Sequence, residues 1–170
     1  RISSVKEALA FIGLNTLKNV ALTLAAVGAL PTKNKAGLKM DEFLSHSLAV
    51  GGATRWLASR SGLGIRESDR AFLAGLLHEF GQVILALHMP AIFKELRERS
   101  ERFGIPLYQL EIDHFGTDHY ALGGLVARKW QLEDKIAETI WYHRHGPSGL
   151  ERTALMDCLW RWGQQNNMLH

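Results

Sequence analysis

The chain has 170 residues, of which 46% are hydrophobic and 22% charged, which suits one domain with a continuous core and excludes a disordered tail-like chain. Lys and Arg total 20 against 17 Asp and Glu, a formal charge of +3, and opposite signs interleave along residues 94–102, which argues against nucleic acid as the main partner. Cys158 is the only cysteine, so no disulfide framework forms within the chain, and a reducing cytoplasm is the expected compartment.

The chain starts directly in helical pattern. Ser4-Val5-Lys6-Glu7 has the spacing of a capping box, and Val5, Ala8, Leu9 and Ile12 form an apolar stripe that Gly13 ends. Asn15 caps a second helix carrying Leu17, Val20, Ala21, Leu24 and Val27, which Pro31 stops. Residues 33–37 read as a loop. Asp41 starts a long helix to about residue 59, with His46 on the same stripe as Val50, Ala53 and Leu57. After a Gly-rich connection, residues 61–65, Ser68 is expected to cap a central helix that is apolar on every side. Pro90 suits a first helical position, and the helix it opens turns Phe93 and Leu96 inward, with Gly104 after its end. Pro106 opens a shorter piece to Phe115, and Gly116-Thr117 breaks and recaps the chain. His119, Gly123, Val126 and Trp130 share a face of the next helix, and Ile136, Ile140 and His143 a face of the one after. A turn at residues 146–149 and a last helix over about residues 151–165 complete an all-α domain of about eight or nine helices. No alternating strand pattern, repeat or secretory signal is legible.

Residues 71–87 are all apolar or glycine except His78, Glu79 and Gln82. Those three polar groups make the run too short and too broken for a membrane span. They also carry a cost in an apolar helix unless a metal, a hydrogen-bond network or water satisfies them. His46, His78, His119 and His143 each fall on the inward face of a different predicted helix, and Glu79 adds an oxygen donor. Such a mixed nitrogen and oxygen set suits a first-row transition metal or magnesium, and a dinuclear version would suit hydrolysis of a phosphate ester. The competing reading of each histidine is a hydrogen-bonded core residue. His88 and His114 read as surface or capping residues, and Arg144 and His145 sit where a cation complements a helix end. Asp157 is either part of a solvated face or a fifth ligand. Trp130, Trp141, Trp160 and Trp162 belong to the core and its rim. There is no nucleophile elbow and no phosphate loop.

Several stretches together resemble the HDOD family, the HD-related output domains of bacterial signalling proteins. Residues 3–13 with Leu17 look like the family's opening "S-I-x-x-A-I-x-x-L-G", and His46-Ser47-Leu48-Ala49-Val50 like its "H-S-x-x-V/A" helix. Residues 71–82 are similar to "A-F-x-A-G-L-L-H-D-I-G-K". Glu111, Gly116, His119, Gly123 and Trp130 match "E…G-x-x-H-x-x-x-G…W", and Tyr142-His143-Arg144-His145 the "H-H" ending. The resemblance implies an HD-like helical bundle, with a further N-terminal helical portion expected ahead of residue 1. In the related HD and HD-GYP phosphohydrolases the positions matching His46, His78, Glu79, His119 and His143 bind one or two metals. Here Glu79 replaces the aspartate and Gln82 the lysine, the Gly-Tyr-Pro loop is missing after His145, and the final ligand aspartate has no clean match. Two expectations follow from the resemblance, with a metal-binding or ligand-binding sensor without turnover as the remaining possibility. The first is a non-catalytic output domain with a degenerate metal site and no cofactor, working through a signalling partner or flanking regulatory domain, without nucleic acid or membrane. The second is a metal-dependent phosphohydrolase of nucleotides or cyclic dinucleotides, with manganese, iron or magnesium at those five residues.

Overall fold

The computed structural model describes residue 21 and residues 34–144. The expected capping box at Ser4, the Asn15 helix, Cys158 and the helix with Asp157, Trp160 and Trp162 lie outside the described residues. Among those described there are seven helices and no strand, so the all-α expectation holds. They are α1 (Met40–Arg60), α2 (Ile65–Leu77), α3 (Phe80–His88), α4 (Pro90–Phe103), α5 (Leu107–Phe115), α6 (His119–Lys129) and α7 (Asp134–Tyr142).

Local chemistry explains most of the boundaries. Pro90 begins α4, and Gly104 and Gly116 close α4 and α5 in the left-handed conformation, with φ of 66° and 73°. Two caps differ from the sequence expectation. Gly64, not Ser68, precedes α2, and Ser68 lies buried inside that helix. Asp118, not Thr117, caps α6, its side chain accepting from the Ala121 N–H at 2.8 Å. The central helix is also two helices, because the chain turns at His78-Glu79 between α2 and α3. The stretch Ile65–His88 is long and apolar enough to cross a membrane by composition, with mean hydropathy 1.4. In this fold it is the broken central element of the core, packed between α1, α6 and α7.

Leu73, Leu77, Phe80, Val83, Phe93, Ala127, Ile136, Ala137 and Ile140 make one continuous core, and the Phe80 and Trp130 rings lie 5.0 Å apart. Glycines let the helices approach closely enough to form it. A Cβ on Gly75 would sit 2.5 Å from Thr54 Oγ1 and 3.0 Å from Gly51 Cα, so α1 and α2 cross with their backbones nearly touching. The fully buried Thr54 hydroxyl lies 2.9 Å from the carbonyl oxygens of both Val50 and Ala71 and can donate to either. The tightest approach is at α3. A Cβ on Gly81 would fall 1.9 Å from the His119 carbonyl oxygen and 2.7 Å from its carbon, so Gly81 seats the start of α6 directly against α3.

These approaches separate two glycine substitutions. Gly81→Ala must push backbone against backbone and is expected to lower stability by about 3 kcal/mol or more. Gly52→Ala, on the exposed side of α1 where a new Cβ meets nothing within 4 Å, is expected to raise it by about 0.5–1 kcal/mol. Urea unfolding of the two variants beside the parent checks both signs.

Candidate metal centre

The break between α2 and α3 is where the imidazoles gather. His78 caps the end of α2 and Glu79 precedes α3, so both side chains leave the backbone at a turn and point the same way into the interior. His46 comes from the middle of α1, His119 is the first residue of α6, and His143 follows the last residue of α7. Three of the four histidines thus stand at helix ends and not on helix faces as the periodicity suggested. The reason is steric: an end lets a ring project along the axis into a space where four elements converge.

The ligand atoms of His46, His78 and Glu79 all lie within 4.8 Å of one another. His46 Nε2 and His78 Nε2 are 3.3 Å apart. Glu79 Oε1 is 3.8 Å from His78 Nε2, and Glu79 Oε2 is 3.9 Å from His119 Nε2. His143 joins through ring contacts, its centroid 5.5 Å from that of His78 and 4.7 Å from that of Tyr120. All five expected residues therefore share one region, His46, His78 and Glu79 tightly, His119 through Glu79, and His143 at the side.

Hydrogen bonds fix which nitrogens face the centre. His78 Nδ1 lies 2.7 Å from the Gly75 carbonyl oxygen and His143 Nδ1 lies 2.9 Å from that of Ile140. A carbonyl only accepts, so each Nδ1 carries the proton and each Nε2 keeps its lone pair. Backbone carbonyls commonly fix metal-binding histidines in this way. His119 Nδ1 is 2.5 Å from Glu111 Oε2, which also accepts the His119 backbone N–H at 2.9 Å. His119 Nε2 is buried without a hydrogen-bond partner, as is Glu111 Oε1.

Two features lie beyond the expected set. Glu111 has no exposed surface, and its signal in the sequence is its place in the segment resembling "E…G-x-x-H-x-x-x-G…W", where it carries no ligand role. Tyr120 is buried with its ring centroid 3.9 Å from that of His119. It carried no sequence signal beyond being aromatic. Burial pushes its phenol well above the ordinary value, with the Glu79 charge adding to the effect, so it stays protonated. Gln82 is the third polar residue of the central run, and its amide donates to Glu79 Oε2.

Burial drives the titration of the centre. It pushes His78 down to about 4 and His143 down to about 3. Burial also opposes the charged form of His119, but the Glu111 hydrogen bond and charge outweigh it and raise this imidazole above its ordinary value. Burial pushes the Glu79 carboxyl up, while the surrounding imidazoles, His119 first, hold it below the usual value.

The donors of His46, His78 and Glu79 fit one divalent ion. Two nitrogens each about 2.1 Å from a shared ion stand about 3.0–3.4 Å apart, and the His46 and His78 nitrogens fall in that range. The carboxylate of Glu79 is the oxygen donor such a site needs, and the orphaned His119 Nε2 faces it at 3.9 Å from outside the group of three.

The family model of the HDOD domain matches residues 1–146. In solved structures the chain is similar to an HDOD domain protein of unknown function from Geobacter sulfurreducens, with TM-score 0.74, 26% identity, and coverage of 98% of this chain and 56% of that one. It is similar to a candidate signal transduction protein from Marinobacter aquaeolei VT8, with TM-score 0.71, 25% identity, and coverage of 97% and 37%. A candidate phosphohydrolase from Shewanella amazonensis SB2B shares the fold, with TM-score 0.74, 24% identity, and coverage of 96% and 59%. An uncharacterised protein of Treponema pallidum (strain Nichols) is 25% identical over 151 residues, 89% of this chain and 29% of that protein. The chain thus spans well under two thirds of each of these relatives.

Acid destabilises the metal-free protein through the buried imidazoles. In the unfolded chain a histidine takes up a proton near pH 6.5, whereas folded His78 does so only near 4. The His78 contribution is therefore complete above about pH 6.5 and falls between there and 4, by roughly 1.4 kcal/mol per pH unit for each such histidine. His143 acts in the same direction, down to about 3. His119 acts oppositely, but its raised value places its gain above pH 6.5, so it does not offset the fall. Urea midpoints at pH 7 and pH 5, with chelator, should show the loss; equal midpoints would contradict the burial argument.

Proposed function

Because the chain belongs to the HDOD family, we propose that it is a non-catalytic regulatory domain of a bacterial signalling protein. It works in the cytoplasm through contacts with a flanking domain or a partner signalling protein. The observation that carries this reading is at position 82. The HD phosphohydrolase motif that this run resembles has a lysine there, a cation that can offset phosphate charge in a transition state. Here the position holds an amide spent on Glu79 Oε2. The carboxylate that would complete a two-metal site is itself one methylene longer than aspartate, a displacement on the order of 1 Å where ligand distances tolerate about 0.2 Å. The description of the Marinobacter neighbour as a candidate signal transduction protein points the same way.

A second reading, a metal-dependent phosphohydrolase of nucleotides or cyclic dinucleotides, is favoured by the convergence of His46, His78 and Glu79 with an orphaned His119 nitrogen. Those four residues would hold a manganese, iron or magnesium ion, which supplies Lewis-acid polarisation of a phosphate ester. His143 would serve as a ligand or as the acid for the leaving group. Its Nδ1 proton is committed to the Ile140 carbonyl and burial keeps Nε2 unprotonated, which favours the ligand role over the acid. Tyr120 stands against the His119 and His143 rings and limits water on that side.

The two readings part on turnover. The protein loaded separately with Mn(II), Fe(II) or Mg(II) is expected to hydrolyse neither bis(4-nitrophenyl) phosphate nor a cyclic dinucleotide faster than its His78→Ala variant. Turnover that the substitution abolishes would establish the hydrolase instead.

A further inference from the structure

We propose that Glu111 is the positioning carboxylate of a divalent-cation site that this domain keeps without turnover, holding His119 so that its Nε2 faces the Glu79 carboxylate as a donor beyond the His46, His78 and Glu79 group. The inference rests on the regulatory reading above and names the cation chemistry of the same centre.

The argument begins from the cost of Glu111. Its side chain has no exposed surface, and only Oε2 has partners, the Nδ1 and the backbone N–H of one residue, His119. Capping a backbone N–H needs no more than a neutral oxygen, and a buried carboxylate is far more costly than an amide. The charge is matched only if the imidazole it holds carries or faces positive charge on its far side. That far side is Nε2, buried and without a hydrogen-bond partner. It faces Glu79 Oε2 at 3.9 Å, too far for a hydrogen bond. The gap is within reach of two donors on one ion, which can stand up to about 4.2 Å apart with bonds of about 2.1 Å.

The ring is also immobilised as a ligand requires. Gly81 packs against the His119 backbone, and Asp118 caps the helix that His119 begins. Carboxylate to histidine to metal is the arrangement in which an outer residue fixes ring orientation and raises ligand basicity. Among the described residues His119 is the hydrogen-bond partner of Glu111, so its effect on a cation passes through that ring.

The test is Mn(II) binding to chelator-stripped protein by equilibrium dialysis, with bound manganese read by electron paramagnetic resonance. The parent should hold about one equivalent, and Glu111→Gln, which keeps the shape and removes the charge, should weaken binding about 10–100-fold with unchanged far-ultraviolet circular dichroism. Leu96→Ala, a buried change in α4, serves as a comparison for destabilisation alone and should leave manganese affinity within twofold. If Glu111→Gln fails to fold, Glu111→Asp is read in the same way, because the shortened arm no longer reaches His119 squarely. Affinity of the Glu111 variant within twofold of the parent, or an equal loss in Leu96→Ala, would overturn the positioning role. Binding below about a tenth of an equivalent in the parent would overturn the site and leave the regulatory reading standing. Phosphodiester turnover would overturn both the regulatory reading and the claim of a site without turnover, whatever the Glu111 affinities.

Discussion

A glutamate with no exposed surface stays in this core because His119 meets it twice, through its ring and through its backbone N–H. That double contact ties the middle of α5 to the first residue of α6. The start of α6 in turn has no freedom to move, since Gly81 of α3 lies against the His119 carbonyl. Gly81 is two residues from Glu79, so the position of the Glu79 carboxylate relative to His119 is set by a backbone contact, not by flexible side chains. His78, one residue earlier, inherits the same placement and meets His46 from α1. The centre is thus a consequence of one closely packed junction, and its distances are as rigid as the junction.

Much of this was legible in one dimension. Helix punctuation by Pro90, Gly104, Pro106 and Gly116 was readable because each acts locally on φ or on a missing N–H. The five candidate ligands were readable because a polar side chain on an apolar stripe is costly wherever the stripe is buried. The break at His78-Glu79 was not legible. Residues on both sides are apolar all round, so hydrophobic periodicity continues through a turn that only the packing of α6 against Gly81 demands. The caps at Ser68 and Thr117 failed for a different reason. A capping side chain next to another candidate, as Thr117 is to Asp118, leaves the choice to the tertiary direction of the chain. Glu111 was visible as part of a family resemblance, but its partner lies eight residues on across a helix end, and that pairing is a fact of three dimensions.

The two altered positions, 79 and 82, compensate each other locally. A glutamate at 79 reaches further than the aspartate of the resembled motif, and an amide at 82 donates to the oxygen that the longer arm presents. A lysine at 82 would neutralise that carboxylate, whereas the amide leaves its charge in place beside the imidazoles. The local hydrogen bond therefore favours a carboxylate held near His78 and His119, and position 82 offers no cation to a phosphate. Fold and chemistry separate at this point: the glycines are demanded by packing, while Glu111, His119 and positions 79 and 82 set what the centre can do.

That separation bears on why imidazoles persist in a domain proposed to be without turnover. Each of His78 and His143 is tied to a carbonyl of its own helix, and His119 to a carboxylate from another. Replacing any one by an apolar residue leaves a buried carbonyl or carboxylate without its donor, which costs about 1–3 kcal/mol and more for the charged partner. A ligand set can therefore outlast the reaction it once served, because its second nitrogens are part of the core's hydrogen bonding. A cation held by the first nitrogens would add to the same structure by linking α1, the α2–α3 turn and α6. On the regulatory reading, such a link would hold the helices that carry the surface contacts in one arrangement.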